Sequence, residues 1–163
     1  MIRIFTYILA VLFVSGCSYK HDSLYKESKN RTEQAVANTK KAELFQNGKI
    51  KIFITATYLD SLDYRDSKEY EEFVVGLHFP SIDNRELDKE KVLKNTFFKI
   101  EGNKPILVKK LKRDDFLLSM VPAANPWSFY YLVRAKKIDS NFVDLEIYID
   151  DFKSIKFKFE KDY

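Results

Sequence analysis

The chain has 163 residues, and its 28 Lys and Arg against 24 Asp and Glu give a formal net charge of +4. So small an excess, spread along the chain, argues against a nucleic-acid partner. Only four glycines and four prolines accompany 14 Phe and 10 Tyr, a composition that argues against disorder and favours packed β structure.

The first sixteen residues have the layout of an export signal. Arg3 supplies one positive charge, and an apolar run follows from Phe5 to Val14. The run is shorter than the ~20 residues that a membrane-spanning helix needs. A charge followed by a short apolar core is typical of secretory signals, so we predict a signal peptide over residues 1–16.

The signal ends in Val14-Ser15-Gly16-Cys17, which contains the single cysteine of the chain. This stretch resembles the lipobox of bacterial lipoproteins. The resemblance implies cleavage before Cys17, a diacylglyceryl group on its thiol and an acyl chain such as palmitate on its amino group. Each buried methylene contributes ~0.8 kcal/mol to membrane binding, and one lipid chain holds a protein at the membrane only marginally. Stable anchoring therefore needs more than one chain. An uncleaved membrane anchor and an ordinary signal peptide with a chance cysteine are the alternatives.

The predicted membrane location and the predicted kind of lipoprotein also rest on resemblance. Ser18 follows the cysteine where many lipoproteins of the inner membrane have Asp, which predicts the periplasmic face of the outer membrane, with the inner membrane as the alternative. The segments ATYLD (56–60) and VPAANPWSFYYLV (121–133) resemble small envelope lipoproteins of Gram-negative bacteria whose role is not assigned. We expect no cofactor beyond the covalent lipid chains.

Residues 17–47 are mostly polar, and we predict a partly helical tether that docks onto the domain near Phe45 and stops at Asn47-Gly48. From residue 48 onward, apolar residues recur at every second position. This alternation predicts about seven antiparallel strands over residues 48–163.

Connections between the predicted strands follow from local signals. Residues 83–95 are charged and predict a short helical connection, and two strands are expected around Gly102-Asn103. Asp114 is the expected cap of a short helix that ends at Pro122. The positions predicted to face inward are Ile50, Ile52, Ile54, Ala56, Tyr58, Phe73, Val75, Leu77, Phe79, Phe98, Ile100, Trp127, Phe129, Tyr131, Val133, Ala135, Val143, Leu145, Ile147, Ile149, Ile155, Phe157 and Phe159.

Two sheets with one apolar face each must cover one another. We therefore predict a mainly β fold, an antiparallel β-sandwich of immunoglobulin-like or transthyretin-like topology. A small barrel is the alternative.

Acidic residues between the first two strands raise the question of a calcium site. Asp60, Asp63 and Asp66 could offer the hard oxygen ligands that Ca²⁺ prefers. Their spacing lacks the Asp-x-Asp-x-Asp-Gly order of a calcium loop, and Arg65 and Lys68 interrupt the charge. A solvated turn is therefore the preferred interpretation.

The sequence offers little for catalysis. The only histidines are His21, in the tether, and His78, predicted on the outward face of a strand. Cys17 is assigned to lipid, and no glycine-rich phosphate loop is present. We predict a non-enzymatic protein with no catalytic residues and no resident metal.

A basic run is the strongest candidate for binding. It consists of Lys109, Lys110, Lys112 and Arg113. These side chains can meet an anionic membrane surface, lipopolysaccharide phosphate or an acidic partner. The competing interpretation is a charged edge strand that prevents aggregation. Tyr130 is predicted to face away from the core and completes the candidate binding residues, whereas Trp127 is predicted to be buried.

These features together predict a membrane-anchored periplasmic lipoprotein that acts as a non-enzymatic binding or assembly module with an envelope protein as partner. One alternative is an envelope accessory factor that binds glycan or lipopolysaccharide. A second is similarity to the outer-membrane lipoprotein of type VI secretion systems, which has a similar size and a transthyretin-like sandwich.

The lipobox makes the first testable prediction. In a Gram-negative host, Cys17→Ser should abolish metabolic labelling with palmitate, because the acylated thiol is gone. Globomycin should block processing of the wild-type chain and leave the variant unchanged. Palmitate incorporation that persists in Cys17→Ser would contradict the assignment.

Overall fold

The computed structural model describes residues 32–62, 69–80, 89–149, 152 and 154–161. The predicted signal peptide, Cys17 and the first part of the predicted tether lie outside these ranges. Residues Thr32–Tyr163 form one compact unit. No helix within the described ranges has the length and apolar character to span a bilayer.

Two antiparallel sheets make up this unit. The strands are β1 (Thr39–Gln46), β2 (Lys49–Tyr58), β3 (Tyr70–His78), β4 (Thr96–Ile100), β5 (Leu107–Lys110), β6 (Phe129–Lys136), β7 (Phe142–Ile149) and β8 (Ile155–Glu160). Sheet A has the order β1-β2-β3-β6-β5, and sheet B has the order β4-β7-β8. Residues 32–37 (α1) and Lys89–Lys94 (α2) are α-helical, and Asp60–Leu62 and Phe116–Met120 form 3₁₀ helices.

The main core lies between the two sheets, as the alternating pattern predicts. Side chains from both sheets meet there, and the ring of Phe159 lies 5.8 Å from that of Tyr58 and 5.3 Å from that of Phe73, centroid to centroid. Each Å² of apolar surface that is buried in such a core contributes roughly 25 cal/mol to the stability of the fold. The β-sandwich prediction is confirmed, while the choice between the two named topologies stays a prediction.

Sheet A is covered on its other face as well. A second apolar cluster is built there from α1, the 3₁₀ helices, and strands β3 and β6, and its members include Ala35, Leu62, Val74, Leu117 and Leu132. As a result, every residue of β3 from Glu71 to Leu77 is buried. The expectation of one apolar face for each sheet is therefore wrong for the centre of sheet A.

The prediction of a helical tether is wrong for residues 39–46. These residues form β1, which pairs with β2 from Thr39↔Thr57 to Gln46↔Lys49. Asn47 (φ 53°) and Gly48 (φ 72°) connect the strands. Asn-Gly with positive φ at both positions is the signature of a type I′ hairpin turn, so the presumed helix stop is a hairpin, and sheet A begins before residue 48.

The two strands expected around Gly102-Asn103 are present as β4 and β5, and they belong to different sheets, β4 to sheet B and β5 to sheet A. One local assignment needs correction. The short helix is capped by Asp115 rather than Asp114, since the Asp115 carboxylate accepts a hydrogen bond from the Leu117 N–H at 3.1 Å. The expected helical connection is present as α2, although residues 81–88 are outside the described ranges.

A buried ion pair joins the two sheets at one end of the sandwich. Glu71 on β3 is fully buried, and its carboxylate accepts hydrogen bonds from Lys161 Nζ at 2.6 Å, Tyr58 Oη at 2.5 Å and the Ile138 N–H at 3.0 Å. Lys161 directly follows β8 of sheet B. Burial and the bond to Glu71 raise the pKa of the Tyr58 hydroxyl well above its usual value, so this hydroxyl remains a donor.

The contribution of the Glu71–Lys161 ion pair to stability can be measured with two matched substitutions. Lys161→Gln should lower the free energy of unfolding by about 3 kcal/mol, because among the described residues it leaves the buried carboxylate with only the more distant and partly exposed Lys137, 4.0 Å away, as a counter-charge. Lys156→Gln is the control, since Lys156 lies on β8, pairs with Asp144 at 2.7 Å and has a side chain 57% exposed. The control should leave the urea midpoint almost unchanged. Equal midpoints for both variants would contradict the bridging role.

Candidate ligand-binding groove

A groove of about 860 Å³ opens where β5, the start of β6 and the end of β3 come together. We call it the basic groove. It is lined by residues 78–79, Lys89, residues 110–113, Leu118 and residues 124–130. Its volume falls in the range of typical small-molecule sites.

Positive charge is concentrated among the described residues that line this groove. Their Lys and Arg side chains are Lys89, Lys110, Lys112 and Arg113. Within the described ranges, no carboxylate lines the groove and no ion pair holds any of these four groups. Lys110 Nζ instead lies 5.0 Å from the centroid of the Phe129 ring. Such a concentration of one sign of charge attracts anions.

The residues of the basic run do not all lie in the groove. Lys110, Lys112 and Arg113 line the groove, whereas Lys109 does not. Lys109 Nζ lies 3.9 Å from the carboxylate of Asp115. Adjacent residues of a strand point to opposite faces, which explains why the two neighbouring lysines of β5 differ. β5 is an edge of sheet A, as the edge-strand interpretation of this run requires, and the binding interpretation stays a prediction.

The aromatic wall of the groove is a loop fixed by hydrogen bonds. Tyr130 Oη accepts a hydrogen bond from the Asn125 N–H at 3.0 Å. The Asn125 side-chain oxygen in turn accepts hydrogen bonds from the Trp127 N–H at 3.1 Å and from Ser128 Oγ at 2.9 Å. These contacts hold the backbone that presents Trp127.

The prediction that Trp127 is buried in the core is wrong. Its side chain is 74% exposed and lines the groove. The reason is that β6 begins only at Phe129, so Trp127 lies in the turn that Asn125-Pro126 initiate, and the strand alternation does not extend to it.

Tyr130 faces away from the main core, as predicted, but it is buried in the second cluster. Its ring lies against Gly76 of β3, the residue with which it pairs. A Cβ on Gly76 would lie 2.7 Å from Tyr130 Cε1 and 2.6 Å from Thr55 Oγ1. Glycine in a strand interior often marks such a close approach, so Tyr130 positions the loop rather than offering an open surface.

The calcium candidates receive no support as a group. The Asp60 carboxylate forms an ion pair with Lys137 and accepts a hydrogen bond from Tyr58 Oη at 3.1 Å. Asp63 and Asp66 lie outside the described residues. Within the described ranges, no cluster of three His, Cys, Asp or Glu side chains could hold a metal ion.

Three groove residues were missed from the sequence. Trp127 was assigned to the core, Lys89 belongs to a helix distant in sequence, and His78 was expected on a solvated face. His78 is only partly exposed, and its buried Nδ1 has no hydrogen-bond partner among the described residues. Nothing in the local sequence around Lys89 or His78 indicates that they approach residues 110–113.

Comparisons with protein-family models, curated proteins and solved structures give no match to this chain.

Adjacent tyrosines allow a test of the loop anchor. Tyr130→Phe removes the acceptor of the Asn125 N–H and should lower the free energy of unfolding by about 0.5–1.5 kcal/mol. It should also shift the emission of Trp127, the only tryptophan in the chain. Tyr131→Phe is the control, because the Tyr131 hydroxyl makes no hydrogen bond within the described part of the chain. Identical emission spectra for both variants would refute the anchoring role.

Proposed function

We propose that the protein is a lipid-anchored, non-enzymatic binding module of the bacterial envelope, and that the basic groove binds an anionic envelope ligand. The single observation that carries this proposal is the set of four cations that line one groove without a carboxylate in the described ranges. Charges of one sign in a concave, low-dielectric site raise the local concentration of oppositely charged ligands.

The anchor part of the proposal rests on the lipobox at Cys17 and the signal-like residues before it. A module held at a bilayer surface meets glycans and lipid headgroups at high effective concentration. This location suits a groove that selects for negative charge, because phosphate and carboxylate groups are abundant on envelope polymers. The periplasmic face of the outer membrane is the proposed location.

An envelope protein is the second candidate partner. The edge strand β5 and the residue before it expose two apolar side chains, Val108 (46% exposed) and Ile106 (54% exposed). An exposed edge can accept an added strand. Capture of a protein that is lost in Val108→Lys but retained in Lys110→Met would favour this candidate over a groove ligand. The type VI resemblance stays a prediction.

A polyanion titration tests the groove. The full-length lipoprotein in a non-ionic detergent should bind dextran sulfate, with a change in Trp127 emission, and should not bind neutral dextran. Lys110→Met should weaken the binding, because Lys110 lines the groove, and added salt should weaken it further through screening. Lys109→Met is the matched control with the same change in charge on the same strand. Equal losses in the two variants would show that the surface, and not the groove, binds the polyanion.

A further inference from the structure

We infer that the ligand of the basic groove is a saccharide that carries two phosphate groups. This inference rests on the proposed function and specifies its ligand class. It is drawn from three properties of the groove: the number of its cations, the kind of aromatic residue at its wall and its concave shape.

The charge of the described lining residues indicates the number of phosphates. Among these residues, Lys89, Lys110, Lys112 and Arg113 carry four formal positive charges. A phosphate monoester carries about −1.5 to −2 at pH 7, so two such groups nearly balance the four cations, while one leaves at least two of them without a counter-charge. A neutral glycan balances none.

The chemistry of these cations suits phosphate. Arg113 offers a planar fork of donors that can bind two phosphate oxygens at once, and lysines act as mobile point charges that follow a phosphate group. The lysines lie on two separate segments, one at the start of α2 and the other at the end of β5. Two separate segments of the chain therefore supply positive charge to the groove, which suits a ligand with two separated anionic groups.

The aromatic wall supplies the reason for a saccharide. Trp127 is 74% exposed although it is held on a hydrogen-bonded loop. Exposing so large an apolar ring is unfavourable in water, and the axial C–H groups of a sugar ring can cover an indole face while its hydroxyls stay in water. Ser128 and Asn125, which line the same wall, bring polar groups close to those hydroxyls.

Concavity favours a bounded ligand over a flat bilayer. The groove encloses about 860 Å³, which lies within the ~300–1,000 Å³ of small-molecule sites. A phosphorylated mono- or disaccharide fits such a volume, whether it is free in solution or forms the headgroup of a glycolipid. A planar anionic surface would contact the rim and leave the interior filled with water.

The test uses the single tryptophan as an internal reporter. The full-length lipoprotein in non-ionic detergent is titrated with glucose 1,6-bisphosphate, glucose 1-phosphate, pyrophosphate and tri-galacturonate, and emission of Trp127 is followed. We expect the bisphosphate to bind at least ~10-fold more tightly than the monophosphate, since each lost charge-assisted hydrogen bond costs about a factor of ten or more. Pyrophosphate, which lacks a ring, should bind more weakly than the bisphosphate.

Variants locate the contacts by calorimetry. Lys112→Met and Arg113→Gln should each weaken binding of the bisphosphate ~10-fold, and Lys109→Met should not change it. Trp127→Ala should remove the preference for the bisphosphate over pyrophosphate and leave pyrophosphate binding intact. These residues are exposed, and an unchanged urea midpoint verifies that each variant is folded.

Mixed micelles separate the two sources of the ligand, because the lipid is then presented in the same detergent as the protein and the acyl chains at Cys17 do not decide binding. A diphosphorylated disaccharide lipid in such micelles and the soluble bisphosphate should both change the emission of Trp127, in competition with each other. An equal change with phosphatidylglycerol in the micelles would overturn the inference, because that lipid has phosphate without a sugar ring. Tight binding of tri-galacturonate with no response to the bisphosphate would also overturn it and would leave the proposed anionic-ligand function standing. Failure of every anion, dextran sulfate included, would refute both.

Discussion

The close packing of Tyr130 on Gly76 is the contact on which both the fold and the groove depend. Strand β3 lies at the centre of sheet A and is buried on both faces, so nothing larger than hydrogen fits at residue 76 between Thr55 and the Tyr130 ring. The ring then completes the second apolar cluster, and its hydroxyl holds Asn125. Because Gly76 has no side chain, Tyr130 can take the position from which it holds the loop that carries Trp127.

The opposite end of the sandwich is held by charge rather than by shape. Glu71 is fully buried, and Lys161, Tyr58 and the Ile138 N–H satisfy its oxygens. Burying a carboxylate costs several kcal/mol, and this cost is recovered only when the two sheets are in their correct positions. The Glu71–Lys161 pair therefore favours one position of sheet B relative to sheet A. Apolar packing alone tolerates small shifts and specifies this relative position less strictly.

The groove differs from this bridge in its electrostatic design. At Glu71 each buried charge has a counter-charge, whereas in the described ranges the four cations of the groove have none. Cations left without partners reduce stability slightly through mutual repulsion, and such a cost is usual at binding sites. β5 is also a short edge strand with two lysines, and such strands discourage sheet-to-sheet aggregation.

The sequence alone determined the alternation of the strands after residue 48 and hence the β-sandwich, because alternation of apolar side chains reflects the pleat directly. It also placed Lys110, Lys112, Arg113 and Tyr130 in a candidate binding set. Local signals misplaced residues 39–46 and Trp127, since an Asn-Gly pair serves helix ends and hairpins alike and a turn residue does not follow strand alternation. Only the tertiary structure brought Lys89 and His78 to the basic run. Such contacts between distant segments depend on how the sheets and their covering layer pack, and no periodic pattern in the chain records that packing.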